Sequence, residues 1–268
     1  MTESEPESVS EPDAVVHGVI EGGIATLTLD SPANRNALSA RLIGELSAHL
    51  SVAGLDPSVR AVVIAHTSNT FCAGADLAES AAEGGPAAGT ARLVALLRQI
   101  LELPKPVMAL VQGNVRAGGI GVVAACDLAI VGQESSFAFT EVRLGLAPAI
   151  ISLTVLPRLT DRAASRAFLT GERFDAAEAA RIGLVTEASD DPVTALAVVT
   201  DAFLACSPQG LAETKFLTTR SMLADFDDAA AHLAETSARL FASAEAREGV
   251  TAFMERRPPA WATPPDPS

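Results

Sequence analysis

Two glycine-bearing turns and one carboxylate hold the chemistry that this chain could do. The turns are Phe71-Cys72-Ala73-Gly74-Ala75-Asp76-Leu77 and Gly113-Asn114-Val115-Arg116-Ala117-Gly118-Gly119, and the carboxylate is Glu141. Each turn follows a β-like run and opens a helix-like segment, where backbone N–H groups lack intrahelical acceptors. Two such donors aimed at one carbonyl oxygen would stabilise an oxyanion, and a carboxylate beside them would move protons. That combination suits chemistry on a thioester enolate. Gly121 stands where a second carboxylate would be wanted.

The other reactive residue types offer less. Cys72, Cys126 and Cys206 form no C-x-x-C pair and read as buried, reduced thiols. Cys72 lies in the first turn, which leaves a reactive thiol as an alternative, but no base partner is evident and the four histidines are scattered. No metal-ligand spacing is present. A dinucleotide site over Gly113 to Gly121 is disfavoured because the ordered Gly-x-Gly-x-x-Gly is absent and no acidic residue sits suitably downstream.

The elements that must position these turns follow from periodicity. Val15 to Ile20 and Ile24 to Asp30 flank Glu21-Gly22-Gly23 as a hairpin, and Ser39 caps a helix bearing Leu42, Ile43, Leu46 and Leu50 on one face. Val62-Val63-Ile64 is a buried strand running into the first turn. A Gly- and Ala-rich loop spans Ala81 to Gly89, and a helix marked by Leu93, Leu96, Leu97, Ile100 and Leu101 stops at Pro104 and Pro106. Val107 to Val111 runs into the second turn, and Leu128 to Val131 and Phe137 to Phe139 are short strands. Beyond Ala149 helices dominate: Asp161 to Thr170, Ala176 to Arg181, Pro192 to Ala205, Pro208 to Leu223, Asp227 to Ala242 and Glu245 to Arg256. The fold class is therefore α/β with a helical C-terminal region.

At 268 residues, 49% hydrophobic and 19% charged, the chain is long and apolar enough for a sizeable core. A net charge of −14 argues against nucleic acid and against an anionic membrane surface. No signal peptide is visible, and the apolar stretch from Val107 to Val131 is broken by Arg116, Asp127 and glycines, so no membrane span and a cytoplasmic setting are expected. Residues 1–13 read as an acidic disordered tail, 14–200 as the core, 201–257 as a helical region for self-association, and 258–268 as a Pro-rich tail.

The two turns resemble those of the crotonase (enoyl-CoA hydratase/isomerase) superfamily. Pro32-Ala33-Asn34-Arg35-Asn36-Ala37-Leu38 is similar to its early CoA-binding loop, Thr170 to Phe174 with Ala179 to Val185 to a later helix pair, and Glu248 to Phe253 to a C-terminal signature. Five motifs occur in the family's order from about Val15 to Arg257. The resemblance implies a spiral of ββα units, a homotrimer or a hexamer made of two trimers, and an acyl-CoA thioester as substrate with no other cofactor. It implies an oxyanion hole of the Ala75 and Gly118 N–H groups. CoA and substrate contacts would come from Arg35, Ala37, Ala73, Ala75, Asp76, Leu77, Gly118, Gly119 and Glu141, with Arg256 or Arg257 available to CoA phosphates. Asp76 reads better as a helix cap than as a catalyst. Glu141 matches the segment of the family's second catalytic glutamate.

The chain departs from that pattern at Gly121, which replaces the first glutamate, and at Ala149-Ile150-Ile151-Ser152, which replaces a glycine-rich stretch. The first reading is a 2-enoyl-CoA hydratase of the methylglutaconyl-CoA type, with Gly121 leaving room for a branched or carboxylated acyl group. The second is a Δ3,Δ2-enoyl-CoA isomerase, which needs one carboxylate. The third is a non-catalytic acyl-CoA binder.

Overall fold

The computed structural model describes residues 14–83 and 85–262. The two ends expected to be loose, 1–13 and most of the Pro-rich end, lie outside this range. Pro258 and Pro259 lie within it, and the 3-10 turn that follows them is held to the last helix by the Ala260 N–H donating to Glu248 Oε1 at 2.8 Å.

The chain opens with the hairpin of β1 (Val16–Glu21) and β2 (Ile24–Leu29), whose turn glycines Gly22 and Gly23 both take positive φ. Ala25, Leu27 and Leu29 alternate inward, as a sheet with one covered face requires. Ser39 accepts a hydrogen bond from the Leu42 N–H and starts α1 (Ala40–Leu55), which lays Leu42, Ile43, Leu46 and Leu50 on the core.

The chain then builds two sheets at once. β3 (Ala61–His66), β5 (Val107–Val111) and β7 (Leu128–Gly132) extend the first sheet, and the short strands β4 (Thr70–Cys72), β6 (Asn114–Arg116) and β8 (Ser136–Ala138) build the second. The strand order is β1-β2-β3-β5-β7-β10 in the larger sheet and β4-β6-β8-β9 in the smaller, with β9 (Phe174–Asp175) and β10 (Glu187–Ser189). From β2 to β10 the larger sheet is parallel, and β3 and β5 are apolar on both faces because helices cover both. Helices α2 (Leu77–Ala82), α3 (Ala87–Glu102) and α4 (Gly118–Ala125) follow the first two strand pairs. The repeat of strand, strand and helix is the ββα spiral.

The remainder is helical: α5 (Ser152–Val155), α6 (Asp161–Thr170), α7 (Ala176–Arg181), α8 (Pro192–Ala205), α9 (Pro208–Phe241) and α10 (Ala244–Met254). The two helices expected from Pro208 to Ala242 are one of 34 residues, since Ala224-Asp225-Phe226 holds no glycine or proline and Phe226 is buried in the core. The expected loop at 81–89 is shorter, because α2 takes Ala81 and Ala82 and α3 starts at Ala87. α9 is pinned by Lys215, whose ammonium donates to Asp127 Oδ2 at 2.8 Å and to the carbonyls of Ile100 and Lys105. Among the described residues no single helix is long and apolar enough to cross a membrane.

Candidate active site

Three neighbouring strands of the small sheet deliver the three groups singled out above. β4, β6 and β8 run parallel, with Cys72 opposite Val115 and Arg116 opposite Ala138, so their carboxyl ends lie along one edge. The chain leaving β4 carries Ala75, that leaving β6 carries Gly118, and that leaving β8 carries Glu141. Carboxyl ends of parallel strands are where α/β sheets gather their ligand contacts, because the loops there are free of pairing.

The two turns touch. A Cβ on Gly74 would lie 2.9 Å from that of Ala117, and one on Gly119 would lie 2.6 Å from Cys72 Cβ, so bulk at either position would drive the turns apart. Gly74 also sits at φ 96°, open to glycine at no steric cost. Ala117 takes φ 46° and ψ −121°, a conformation that costs a residue with a Cβ about 1–3 kcal/mol. This kink starts α4, and as its first residue Gly118 has an N–H with no intrahelical acceptor. Among the described residues the Ala75 and Gly118 N–H groups donate no backbone hydrogen bond. Both are free for a ligand oxygen.

The loop from Ser31 to Leu38 is laced to the first turn. Leu38 N–H donates to Gly74 O at 2.8 Å, and Ala73 N–H to Arg35 O at 3.1 Å. Arg35 and Asn36 both lie in the left-handed region. Asn36, which sequence reasoning passed over, holds them there: its Oδ1 accepts from Ser31 N–H at 2.6 Å and its Nδ2 donates to Thr70 O at 2.9 Å. An Asn tolerant of positive φ beside a second polar residue was the available signal. Asp76 caps α2 through the Glu79 N–H at 3.0 Å and accepts from Asn34 Nδ2 at 3.2 Å. Leu77 opens that helix, while Ala37 is buried and can offer a ligand only its backbone. Arg35, Ala37, Ala73, Ala75, Asp76 and Leu77 are thereby brought together on one seam. Leu38 Cδ1 would stand 2.7 Å from a Cβ on Gly118, and Leu93 Cδ2 3.5 Å, so the second turn meets an apolar wall also absent from the expected set.

Glu141 lies on a 3-10 helix, Thr140–Leu144, directly after β8. Its carbonyl accepts from the Leu146 N–H at 3.0 Å. Phe139 anchors the strand end against Phe168, with ring centroids 4.5 Å apart. α10 presses on the other side: a Cβ on Gly249 would fall 2.5 Å from the Leu144 carbonyl, and one on Gly145 2.7 Å from the Glu245 backbone. The residue is half-buried, but Oε2 is sealed from solvent with no hydrogen-bond partner among the described residues. Burial without a counter-charge disfavours the carboxylate and raises its pKa to about 7. A carboxyl so poised can both take and return a proton near neutral pH.

Gly121 does not leave an open space. A Cβ there would meet Ile151 Cγ2 at 2.5 Å and Ile151 Cβ at 3.0 Å, and Ile151 is buried. The room expected for a branched or carboxylated acyl group beside Gly121 is filled by this side chain, carried on the turn before α5. Thr154 Oγ1 locks the pair by donating to Gly121 O at 3.0 Å. The departures noted at Gly121 and at Ala149 to Ser152 are thus two sides of one contact.

Arg116 points away from this edge, donating to Ser136 O, Ser136 Oγ, Asn114 Oδ1 and Val115 O. Cys72 is buried, and burial pushes its thiol up to about 12, which leaves it inert as a nucleophile. Cys126 is likewise buried, but Cys206, also expected inside, is exposed at the bend between α8 and α9. Arg257 is engaged by Glu248 and Glu255, both at 2.7 Å. Among the described residues no group of three or more His, Cys, Asp or Glu could hold a metal ion.

Residues 19–264 match the model of the enoyl-CoA hydratase/isomerase family. A putative enoyl-CoA hydratase of Thermus thermophilus is 32% identical over 249 residues, covering 90% of this chain and 98% of its own. A probable enoyl-CoA hydratase of Rhodobacter capsulatus is 34% identical over 260 residues, covering 90% and 95%. The crystal structure of a putative enoyl-CoA hydratase from Mycobacterium avium paratuberculosis superposes with a TM-score of 0.89 at 51% identity, covering 93% of this chain and all of that one. Methylmalonyl-CoA decarboxylase, at 22% identity and a TM-score of 0.82, shares the fold. The chain belongs to the enoyl-CoA hydratase/isomerase family.

Proposed function

We propose that this protein shifts the double bond of an enoyl-CoA thioester from the 3 to the 2 position, with Glu141 as the single proton carrier. The observation that carries the reading is Ile151: it fills the place beside Gly121, so Glu141 is the one uncommitted carboxylate at the strand ends among the described residues. The thioester oxygen would accept from the Ala75 and Gly118 N–H groups. Ionised Glu141 takes a proton from Cα, the electron pair moves toward the carbonyl oxygen, and a dienolate forms. The same carboxyl, now protonated, gives its proton to Cγ, and the double bond settles between Cα and Cβ. Losing one oxyanion donor costs about 3–4 kcal/mol of transition-state stabilisation in such sites.

Hydration of a 2-enoyl-CoA is the second reading. It is favoured by the pKa of about 7, which lets one carboxyl deprotonate a water and pass that proton to Cα, and by the names of the relatives. Against it stands the apolar Ile151 where a second carboxylate would help hold the water. Incubation with a 3-enoyl-CoA is the test: conjugated thioester absorbance should appear, whereas crotonyl-CoA should lose little absorbance to 3-hydroxybutyryl-CoA. The opposite pattern would overturn isomerisation in favour of hydration, and tight binding with neither change would leave a binder. Self-association through α9 and α10 belongs to the same proposal, supported by the exposed Phe216, Leu217, Phe253 and Met254.

A further inference from the structure

A groove of about 760 Å³ runs along β9, the edge strand of the small sheet. Ser136, the first residue of β8, lies on its wall, and Glu141 is not among the residues that line it. Arg162, Arg166, Arg173 and Arg181 line it, with Phe174 and the buried Ile182 supplying apolar surface. Two of the four cations are matched: Arg166 by Glu172 at 2.5 Å and Arg181 by Glu178 at 2.5 Å. Asp175, also on the wall, spends Oδ1 on the Glu178 N–H. Among the described residues Arg162 and Arg173 have no partner.

Behind the wall lies a third unmatched cation. Arg116 donates through both terminal nitrogens to Ser136, and its acceptors are all neutral. Burial, and then the charge of Arg173, hold its pKa down to about 10. Two unpaired guanidinium groups thus line the groove and a third lies behind it, against one carboxylate without an ion pair, Asp175, in a chain of net charge −14. Like charges gathered in this way are unfavourable until an anion enters between them.

We propose that this groove is a binding site for a phosphomonoester of nucleotide size. A phosphomonoester carries about −1.5 to −2 charge at neutral pH, which answers the excess of two that Arg116, Arg162 and Arg173 leave over Asp175, whereas a monocarboxylate answers one. Planar guanidinium forks bind phosphate oxygens in pairs. The volume lies within the about 300–1,000 Å³ usual for small-molecule sites, and the Phe174 and Ile182 surface suits an organic moiety. The phosphomonoester has two sources: a free phosphorylated metabolite, or the 3′-phosphate end of a CoA molecule.

Calorimetric titration of the full chain tests this, with adenosine 5′-monophosphate as probe and adenosine as the phosphate-free comparison. The nucleotide should bind, adenosine should not, and Arg162→Ala/Arg173→Ala should weaken the nucleotide at least 10-fold. These side chains have no partner in the fold, so the double variant should melt with the wild type, which separates lost binding from lost structure. Competition by CoA but not by dephospho-CoA would identify the 3′-phosphate as the occupant. Absence of competition by both would identify a free metabolite. No binding to the wild type, equal binding of adenosine, or an unchanged Kd in the double variant would overturn the proposal.

Discussion

Adding one methyl group at Gly121 probes the contact that sets the chemistry of the site. Its Cβ would stand 2.5 Å from Ile151 Cγ2 and 3.0 Å from Ile151 Cβ, closer than carbon atoms pack. Overpacking of this kind costs about 1–3 kcal/mol. Alanine returns about 1 kcal/mol because position 121 is inside α4. Gly121→Ala should therefore destabilise by about 0–2 kcal/mol. Ile151→Ala should cost about 2–5 kcal/mol through the cavity it leaves. In that background the clash is gone, and Gly121→Ala should turn neutral or stabilising, a coupling of about 1–3 kcal/mol. Urea denaturation of the four proteins reads the cycle directly. If Gly121→Ala had the same effect with Ile151 present or absent, Ile151 would not be what fills the space of a second carboxylate.

Two further perturbations follow from buried charge. Glu141 binds its proton more tightly in the folded chain, so stability is fullest below about pH 4.5 and falls as pH rises toward 7. At 1.36 kcal/mol per pH unit the loss is about 3 kcal/mol, and Glu141→Gln should remove it: the variant should outlast the wild type in urea at pH 8 and match it near pH 4.5. Equal stability at both pH values would mean that the carboxyl is not desolvated. Lys215→Met should cost about 3–5 kcal/mol, because it leaves Asp127 without its ion-pair partner. A thermal shift within a degree or two would show that α9 is held by its apolar contacts instead.

Local signals were legible where they were self-contained. Ser39 before an apolar 3.6-residue period marked α1, Gly22-Gly23 marked the hairpin, and the motifs at residues 71–77 and 113–119 marked the two turns. Three- and two-residue strands such as β4, β6 and β9 were not legible, because they are stabilised by neighbours distant in sequence rather than by their own periodicity. The same limit hid Ile151. Its meeting with Gly121 is made by α5 folding back on α4, and neither residue carries a chemical signal alone. Asn36 escaped for a related reason: its partner is the Thr70 carbonyl, 34 residues away. The contact of α10 with the 3-10 helix that carries Glu141 left no local signal for the same reason, since it joins Gly145 to Glu245 and Leu144 to Gly249.

The central claim is that Glu141 moves a proton at the carbon next to a thioester, and deuterium uptake tests it without assuming hydration or isomerisation. Butyryl-CoA in D2O has no double bond to hydrate or shift, yet its α-proton is acidified once the carbonyl oxygen is bound. The wild type should exchange that proton, and Glu141→Gln should bind butyryl-CoA as tightly while exchanging about 10²–10⁴-fold more slowly. Exchange by Glu141→Gln at the wild-type rate would contradict the assignment.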